Sequence, residues 1–257
     1  MLPQELLESI VNKTCIAFVG SGPSCEMGYP SWEALAREAM QIAKEIGTGI
    51  DDESYDLKMK SREYEAIFGL LERDLGSRAK MIEIVNSLME THSPLPDRNG
   101  KIYRIIANWP FKSYITTNFD NALAESLSQH GYYETLRNSN SDMKRFLSNP
   151  NELILKIHSD LTDGDNAVLT DDDYDKCYVH TQKECYRQYL KQIFAKYTIF
   201  FIGHSLYDPD IKHILKMAQE VSSTGHKHFM IQADAEPGMK YDYDRKYNTQ
   251  TVNRKSY

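Results

Sequence analysis

The sequence predicts an α/β fold in which one parallel sheet carries helices on both faces. Apolar runs without alternation, such as Cys15 to Val19, are typical of strands buried on both faces. These runs alternate along the chain with segments of helical periodicity, which is the order that builds parallel sheets. Several runs also end in glycine or in a polar residue. These residues would lie at the carboxyl ends of the strands, which is where open α/β sheets bind ligands.

The first part of the chain is predicted to be mostly helical, with one strand. Leu6 and Ile10 lie on the apolar stripe of the first helix, and Ser31 can cap the next one. In chain order, the segments predicted here are a helix at 4–12, a strand at 15–19, a helix from 31 to about 47, a loop at 51–60, helices over 63–90 and a loop at 94–100. We therefore expect a helical insertion at about 51–110, between the first and second strands.

The second part of the chain alternates regularly. The predicted segments are strand 113–118, helix 121–129, helix 141–148, strand 152–158, a turn at 161–166, helix 172–196, strand 198–203, helix 209–221 and strand 227–233. This order predicts a single Rossmann-like domain over residues 1–257. Residues 236–257 are polar and lack a closing apolar strand, so we expect the natural chain to continue.

Composition excludes several classes of protein. With 41% hydrophobic and 26% charged residues, the chain is globular rather than disordered. Its net charge of -7 argues against direct binding of nucleic acid, which needs a basic surface. No apolar stretch is long enough to cross a bilayer, and the N-terminus lacks the features of a signal peptide. We therefore expect a cytoplasmic protein.

Nothing in the sequence predicts a metal site. The four cysteines form no C-x-x-C pair, so we expect free thiols, with burial for all but Cys25; they are Cys15, Cys25, Cys177 and Cys185. The acidic run Asp171 to Asp173 is better explained as a helix start, because Thr170 and Asp173 have capping-box spacing.

Two glycine turns follow predicted strands. Gly20, Ser21, Gly22 and Ser24 match part of a dinucleotide-binding fingerprint, but Cys25 occupies the position of the third glycine. A tight turn without a ligand explains them equally well. The second turn contains Gly203, His204 and Ser205, and Asp208 can cap the helix that follows. It can hold a nucleotide's ribose, or it can simply connect a strand to a helix.

Two polar residues end central strands and are the candidates for catalysis. Asn118 offers donors and an acceptor, and it lies between Thr117 and Asp120 in the motif at 116–120. His158 ends the next long apolar run, and an imidazole with an ordinary pKa of about 6.5 accepts protons near neutral pH. Each alone is more often structural: a turn-forming Asn, a hydrogen-bonded His and, for Asp120, a helix cap.

Taken together, these motifs resemble the sirtuin superfamily, specifically its bacterial sirtuin-like NAD hydrolase branch found in antiphage defence. The matching segments occur in the family's order and are Gly20 to Ser24, Gly28 to Trp32, Ile115 to Asp120, Ile157-His158, Val168 to Tyr174 and Phe201 to Asp210. The resemblance spans roughly residues 15–233. One departure is Ser159, since the family usually has Gly after the histidine.

The resemblance implies a sirtuin-like NAD-binding domain that hydrolyses NAD at the nicotinamide–ribose bond. It implies that Asn118 and His158 are catalytic, and that the residues of the two turns, with Thr117 and Asp120, bind the substrate. Deacetylases of the superfamily carry a four-cysteine zinc module, which this chain cannot build, so no metal is expected and deacylation is disfavoured. Alternatives are an NAD or ADP-ribose sensor without turnover, and an ADP-ribosyltransferase or deacylase. The family also implies homo-oligomers, a trigger, and a partner protein or further domain.

Overall fold

The computed structural model describes residues 2–47, 49, 51–92, 100–179, 184–204, 209–221, 227–232 and 249–253. A single sheet of seven strands forms the centre of the molecule, and every neighbouring pair is parallel. The strands are β1 (Cys15–Val19), β2 (Tyr114–Thr116), β3 (Glu134–Leu136), β4 (Leu153–Lys156), β5 (Thr198–Ile202), β6 (His228–Gln232) and β7 (Thr249–Asn253). The predicted parallel sheet is thus confirmed.

The strand order places β1 at the centre of the sheet. The order is β3-β4-β2-β1-β5-β6-β7, so β1 pairs with β2 on one side and with β5 on the other. Val19, the last residue of β1, is in register with Thr116 of β2 and with Ile202 of β5. The turns that follow these three strands therefore meet at one edge of the sheet, which is where the strand order reverses and where such sheets bind ligands.

Twelve α-helices surround the sheet in the described part of the chain. They are α1 (Gln4–Val11), α2 (Gly22–Met27), α3 (Trp32–Glu45), α4 (Asp52–Ser61), α5 (Tyr64–Leu75), α6 (Arg78–Thr91), α7 (Lys101–Ala107), α8 (Ala122–Ser128), α9 (Asn140–Ser148), α10 (Asp171–Tyr174), α11 (Glu184–Lys196) and α12 (Pro209–Val221).

Both faces of the sheet are covered, as its uninterrupted apolar strands predict. Phe18 packs on one face with residues of α9, α11 and α12, including Phe146 and Leu190. Ala17 points to the other face, where it packs with residues of α1, α7 and α8, including Tyr103. Because side chains alternate along a strand, the five buried residues of β1 supply both layers of core.

A third hydrophobic cluster lies outside these two layers. Helices α3, α4, α5 and α6 bury their apolar stripes against one another, around residues such as Leu35, Tyr55 and Phe68. Leu161 and Leu169, which follow β4, join the same cluster. We call this group of four helices the helical cluster. Two of its helices, α5 and α6, lie in the segment 63–90 where helices were predicted. The helical insertion at about 51–110 stays a prediction.

The predicted loop at 51–60 is wrong, because these residues form α4. Asp51 caps this helix by accepting a hydrogen bond from the backbone N–H of Glu53. Acidic residues in its first turn and lysines in its last turn favour a helix through the helix dipole. Its apolar stripe is weak, since Tyr55 is its only buried residue, and this explains why periodicity missed it. The short helices α2 and α7 were not predicted either.

Three further expectations need correction. Residues 172–196 do not form one helix, because α10 ends at Tyr174 and continues as a π-helical turn at Asp175–Val179 before α11. The short strand β3 at the edge of the sheet was not predicted. The closing strand that the tail seemed to lack exists as β7, whose polar residues pair with β6 along their whole length. Pairing rather than apolar content defines this edge strand.

The structure also bears on cysteines and membranes. Cys15 and Cys177 are buried as predicted, but Cys185 is exposed, because it lies opposite the buried stripe of α11 that contains Tyr186 and Leu190. Within the described ranges, no helix is both long enough and apolar enough to span a bilayer.

Candidate active site

A cleft opens at the sheet edge where β1, β2 and β4 end. Six of the predicted site residues line it together: Ser21, Ser24, Thr117, Asn118, Asp120 and His158. The two candidate catalytic residues therefore share one cleft, although they come from neighbouring strands that are far apart in sequence. The enclosed part of this cleft has a volume of about 70 Å³.

The Asn118 side chain is buried and held by its amide nitrogen. Nδ2 lies within hydrogen-bond distance of three acceptors: the carbonyl oxygen of Gly20 at 2.9 Å, Ser24 Oγ at 3.1 Å and the Tyr103 hydroxyl at 3.3 Å. Ser24 and Tyr103 also bond to each other, at 2.7 Å. The amide nitrogen is therefore engaged by protein oxygens, and the carbonyl oxygen is the part of this side chain that is suited to accept a hydrogen bond from a ligand.

The backbone that carries Asn118 is tied to the central strand. Thr116 Oγ1 donates to the carbonyl oxygen of Val19 at 2.8 Å and accepts from the backbone N–H of Asn118 at 3.0 Å. Thr116 is buried, so these bonds are shielded from water. They fix the position of Asn118 relative to the turn after β1.

His158 is also buried and lies among tyrosines. Its Nε2 is 2.9 Å from the hydroxyl of Tyr178, and the ring of Tyr174 meets the imidazole edge-on at 5.4 Å. Its carbonyl oxygen accepts a hydrogen bond from Val168, which ties the end of β4 to the segment before α10. The next residue, Ser159, has a φ of 61°, which is the left-handed conformation that glycine favours.

Two titratable side chains, those of Asp120 and Lys156, lie next to the loop that follows β2. Burial raises the pKa of the Asp120 carboxyl, which accepts a hydrogen bond from the backbone of Ala122. Asp120 was predicted as the helix cap, but α8 begins at Ala122 with Asn121 in the cap position. Lys156 is buried and donates to the carbonyl oxygen of Phe119 at 2.7 Å and to Asn121 Oδ1 at 3.0 Å. Burial lowers the pKa of its ammonium group.

The two glycine turns pack against each other. The backbone N–H of Gly22 donates to the carbonyl oxygen of Gly203 at 2.9 Å. A Cβ atom on Gly22 would lie 2.9 Å from Gly203 Cα, and one on Gly203, whose φ is 74°, would lie 2.3 Å from Pro23 Cδ. The glycines are therefore required by the approach of the two turns, whether or not a pyrophosphate binds there.

His204 is buried behind the first turn rather than in the cleft. Its ring meets Phe18 edge-on, and Nδ1 would be 2.7 Å from a Cβ atom on Gly20. Burial lowers the pKa of its imidazole to about 4, with a hydrogen bond to the backbone of Phe18 acting in the opposite direction. A role for Gly20, Gly22, Gly203 and His204 in binding substrate stays a prediction. Ser205 and Asp208 lie outside the described residues.

Several residues around the cleft were not predicted as site residues. Tyr29, Trp32, Met89, Phe119 and Tyr174 line it. Tyr29, Trp32 and Tyr174 occur in the family-like motifs, which was the available signal for them. Tyr103 had no such signal, because its helix α7 was itself not predicted. Met89 comes from α6, so the helical cluster forms part of the cleft wall.

The enclosed volume is small compared with that of a whole dinucleotide. Pockets that bury drug-sized ligands typically measure about 300–1,000 Å³, against about 70 Å³ here. A dinucleotide would therefore need the open part of the cleft, or a movement of its walls, in addition to this volume. Within the described ranges, there is no group of three or more His, Cys, Asp or Glu residues that could hold a metal ion. The run at 171–173 instead forms the predicted capping box with Thr170.

Comparison with known proteins gives one family match. The model of the SIR2-like domain matches residues 112–252, which is more than half of the chain. This range covers the sheet from β2 onwards and includes both Asn118 and His158.

Curated proteins with similar sequences carry related names. The chain is 24% identical to NAD(+) hydrolase ThsA of Cytobacillus dafuensis over 230 residues, covering 89% of this chain and 43% of that protein. It is 27% identical to NAD(+) hydrolase ThsA of Enterococcus faecium over 215 residues, covering 84% and 42%. It is 28% identical to Defense-associated sirtuin 2 of Bacillus subtilis over 241 residues, covering 91% and 22%. The chain thus spans less than half the length of these curated relatives.

Proposed function

The chain belongs to the SIR2-like domain family, and from this premise we propose that it is an NAD+ hydrolase. The reaction is cleavage of the nicotinamide–ribose bond by water, which gives nicotinamide, ADP-ribose and a proton. The observation that carries this proposal is the shared cleft of Asn118 and His158. The names of the curated relatives support the same reaction.

The chemistry needs orientation and shielding more than a strong acid. Nicotinamide leaves as a neutral molecule from a positively charged ring, so the ribose passes through an oxocarbenium-like state, as in glycoside hydrolysis. Asn118 suits this step, because it lines the cleft while its nitrogen is held by Gly20 and Ser24, which leaves its carbonyl oxygen for the substrate. In this proposal, the oxygen accepts a hydrogen bond from a ribose hydroxyl or from the attacking water.

His158 is the proposed base. It accepts the proton of the attacking water or of a ribose hydroxyl, and a positioned base of this kind typically accelerates a reaction by about 100- to 10,000-fold. Tyr174, Trp32 and Phe119 line the same cleft, and in this proposal their rings limit the access of water to the reacting sugar. NAD is the substrate, and no step requires a metal ion.

The remaining contacts of the dinucleotide belong to the two turns. We assign the pyrophosphate to the backbone and hydroxyls of Gly20 to Ser24, and we assign Thr117 and Asp120 to the ribose. The adenosine side is assigned to Gly203, His204, Ser205 and Asp208. We also propose one NAD-binding domain over residues 1–257, whose helical insertion at about 51–110 contributes a wall of the cleft through α6.

The proposed biological role is NAD depletion in bacterial antiphage defence. It is supported by the relative named Defense-associated sirtuin 2. We propose a cytoplasmic effector that acts as a homo-oligomer, with a further domain or a partner protein that controls it. A controlled effector would stay inactive until a trigger arrives, because unregulated loss of NAD would harm the host.

The test measures NAD consumption and product identity with purified protein. Asn118→Ala and His158→Ala should each reduce turnover by about 100-fold or more, since each removes a group that acts on the reacting sugar. Asn12→Ala and His130→Ala are matched controls, because they remove the same side chains from exposed positions and should leave turnover unchanged. Full activity in both site variants would refute the assigned roles.

The same assay separates the alternative functions. An NAD or ADP-ribose sensor would bind the ligand without releasing nicotinamide, even over hours and even once its trigger is present. A transferase would release nicotinamide but leave labelled ADP-ribose on protein instead of free in solution. Free nicotinamide and free ADP-ribose in equal amounts are the result expected of a hydrolase.

A further inference from the structure

Tyr103 contributes a buried hydroxyl to the candidate site from outside the matched family range. It lies in α7, whereas the family model begins at residue 112. Its side chain is fully buried, and its hydroxyl is 2.7 Å from Ser24 Oγ and 3.3 Å from Asn118 Nδ2. Ser24 Oγ is itself 3.1 Å from Asn118 Nδ2. These three polar groups form a closed set of contacts, which we call the Asn118 triangle.

The hydrogen bond to Gly20 identifies which end of the Asn118 amide belongs to the triangle. A backbone carbonyl oxygen can only accept, so the amide atom that lies 2.9 Å from the carbonyl oxygen of Gly20 must be the nitrogen. The same nitrogen contacts the hydroxyls of Ser24 and Tyr103. Either hydroxyl oxygen can accept from an N–H group, whichever of the two donates to the other.

An asparagine amide needs such contacts to keep one orientation. The last torsion of an asparagine side chain joins an sp³ carbon to an sp² carbon, and its minima are broad, so the amide rotates easily. One hydrogen bond sets which end of the amide points towards Gly20, but the amide can still swing about that contact. Ser24 and Tyr103 are buried and bonded to each other, which limits this swing.

We propose that Tyr103 is a positioning residue that holds the Asn118 amide in its reactive orientation, both directly and through Ser24. Its catalytic consequence rests on the proposed function, because the orientation of Asn118 affects turnover only if Asn118 acts on the reacting sugar. Among the described residues, Asn118 and Ser24 line the cleft and Tyr103 does not, so Tyr103 acts through its two partners. In enzymes, a misplacement of about 1 Å can cost about 100-fold in rate.

The packing of α7 on α2 sets the position of Tyr103. Glu26 of α2 accepts a hydrogen bond from the backbone N–H of Ile102 at 2.9 Å. A Cβ atom on Gly100 would lie 2.9 Å from Met27 Sδ, so the start of α7 lies directly against the end of α2. Because α2 follows the first glycine turn, this packing joins Tyr103 to the part of the chain that carries Ser24.

Tyr103→Phe tests this role, because it removes only the hydroxyl group. The first measurement is the exchange of the Asn118 Nδ2 hydrogens with solvent, followed by NMR of the whole 257-residue chain labelled with ¹⁵N-asparagine. Exchange should be about 10-fold faster in the variant than in the wild type, which corresponds to the loss of one hydrogen bond. Asn118→Ala identifies the signal.

The second measurement is the steady-state hydrolysis of NAD. The turnover number of Tyr103→Phe should fall by about 10-fold, with KM nearly unchanged, because the substrate keeps all of its direct contacts. A residue that only stabilised the fold would not give this split. Tyr55→Phe is the matched control, since it removes a buried hydroxyl that bonds to Asp74 in the helical cluster, and it should change neither the exchange at Asn118 nor the turnover.

The two measurements separate this inference from the proposed function. Unchanged exchange at Asn118 in Tyr103→Phe overturns the positioning role, whatever the activity. A higher KM at an unchanged turnover number overturns it as well, because Tyr103 would then serve substrate binding. Faster exchange in a protein that never releases nicotinamide, even with its trigger present, supports the hold of Tyr103 on Asn118 and refutes the hydrolase.

Discussion

At the scale of single residues, the chain combines side chains whose ordinary protonation is altered by burial. The clearest case is His204, which lies between Phe18 and Phe201 and behind the first glycine turn. Burial lowers the pKa of its imidazole to about 4, because the charged form cannot be hydrated there. Because the pKa of His204 differs between the folded and the unfolded chain, the stability of the fold depends on pH.

The sign of this link follows from proton binding. The unfolded chain protonates His204 near its ordinary pKa of about 6.5, whereas the folded chain does so only near 4. Between these values the unfolded state binds more protons. The contribution of His204 to the stability of the fold is therefore fully present above pH 6.5 and is lost as the pH is lowered towards 4. The loss amounts to at most about 3 kcal/mol.

His204→Gln should remove this part of the pH dependence, since an amide keeps hydrogen-bonding capacity but does not titrate. Urea unfolding of both proteins at several values between pH 4 and pH 7 gives the measurement. The wild type should lose up to about 3 kcal/mol more than the variant on acidification. Identical slopes would mean that His204 is hydrated in the folded protein.

At Ser159, the sequence predicted the importance of the position but not its backbone conformation. The family-like motif has glycine at this position, and the structure shows that Ser159 keeps the left-handed backbone that glycine would favour. Its hydroxyl donates to Asp163 at 3.3 Å, which helps to hold a conformation that is otherwise strained. The motif pointed to the position, but no local rule predicted that serine would adopt this φ.

At the scale of elements, the helical cluster and the sheet are joined through Arg78. This residue of α6 donates to the carbonyl oxygens of Gly164 and Ala167 at 2.9 and 2.7 Å, and to Asp173 at 3.0 Å. Asp173 also accepts from the backbone N–H of Leu169 and Thr170. One guanidinium group thus organises the segment that leads from β4 to α10.

Arg78→Met should lower the free energy of unfolding by about 2–4 kcal/mol, because it removes the donors to the carbonyl oxygens of Gly164 and Ala167 and the positive charge beside Asp173 in a partly buried site. Arg73→Met is the matched control, since Arg73 is largely exposed and forms an ion pair with its sequence neighbour Asp74, and it should cost less than about 0.5 kcal/mol. Equal effects in chemical denaturation would show that Arg78 is an ordinary surface charge.

Helices and strands were predicted correctly where the apolar pattern was strong. They were missed where strand pairing or helix capping determines the structure. The buried runs of β1 and β5 need no knowledge of their neighbours, because apolar residues at every position are recognisable locally. In contrast, β7 is a strand only because β6 lies beside it. Helix α4 depends on its caps and charges, and the break after Tyr174 depends on a π-helical turn. Strand pairing, helix capping and π-helical turns do not appear in the spacing of apolar residues, so that spacing could not predict them.

At the scale of the whole molecule, the topology explains why the candidate site was recognisable at all. Strands β1, β2 and β4 are parallel neighbours, so their carboxyl ends lie at one edge. Residues that end apolar runs, such as Asn118 and His158, are thereby brought together without any contact being known. Side chains from outside this edge, such as Tyr103 and Met89, were not predictable because their positions depend on how α7 and α6 pack.

A ligand that binds this edge should stabilise the entire fold. If ADP-ribose binds the folded chain alone, a concentration of one hundred times its Kd should raise the free energy of unfolding by about 2.7 kcal/mol. Denaturation with and without ligand measures this, and Asn118→Ala should weaken the effect. Guanosine diphosphate at the same concentration controls for charge alone. No stabilisation at millimolar ADP-ribose would count against the dinucleotide site.

The position of β1 has a consequence for synthesis on the ribosome. This strand emerges first, yet one of its partners, β5, begins at Thr198. Parallel pairing between such distant segments can form only after the residues of β5 have been translated. The turns at Gly20 and Gly203 therefore cannot meet before that point. A ribosome-bound fragment that stops before β5 lacks one side of the candidate site.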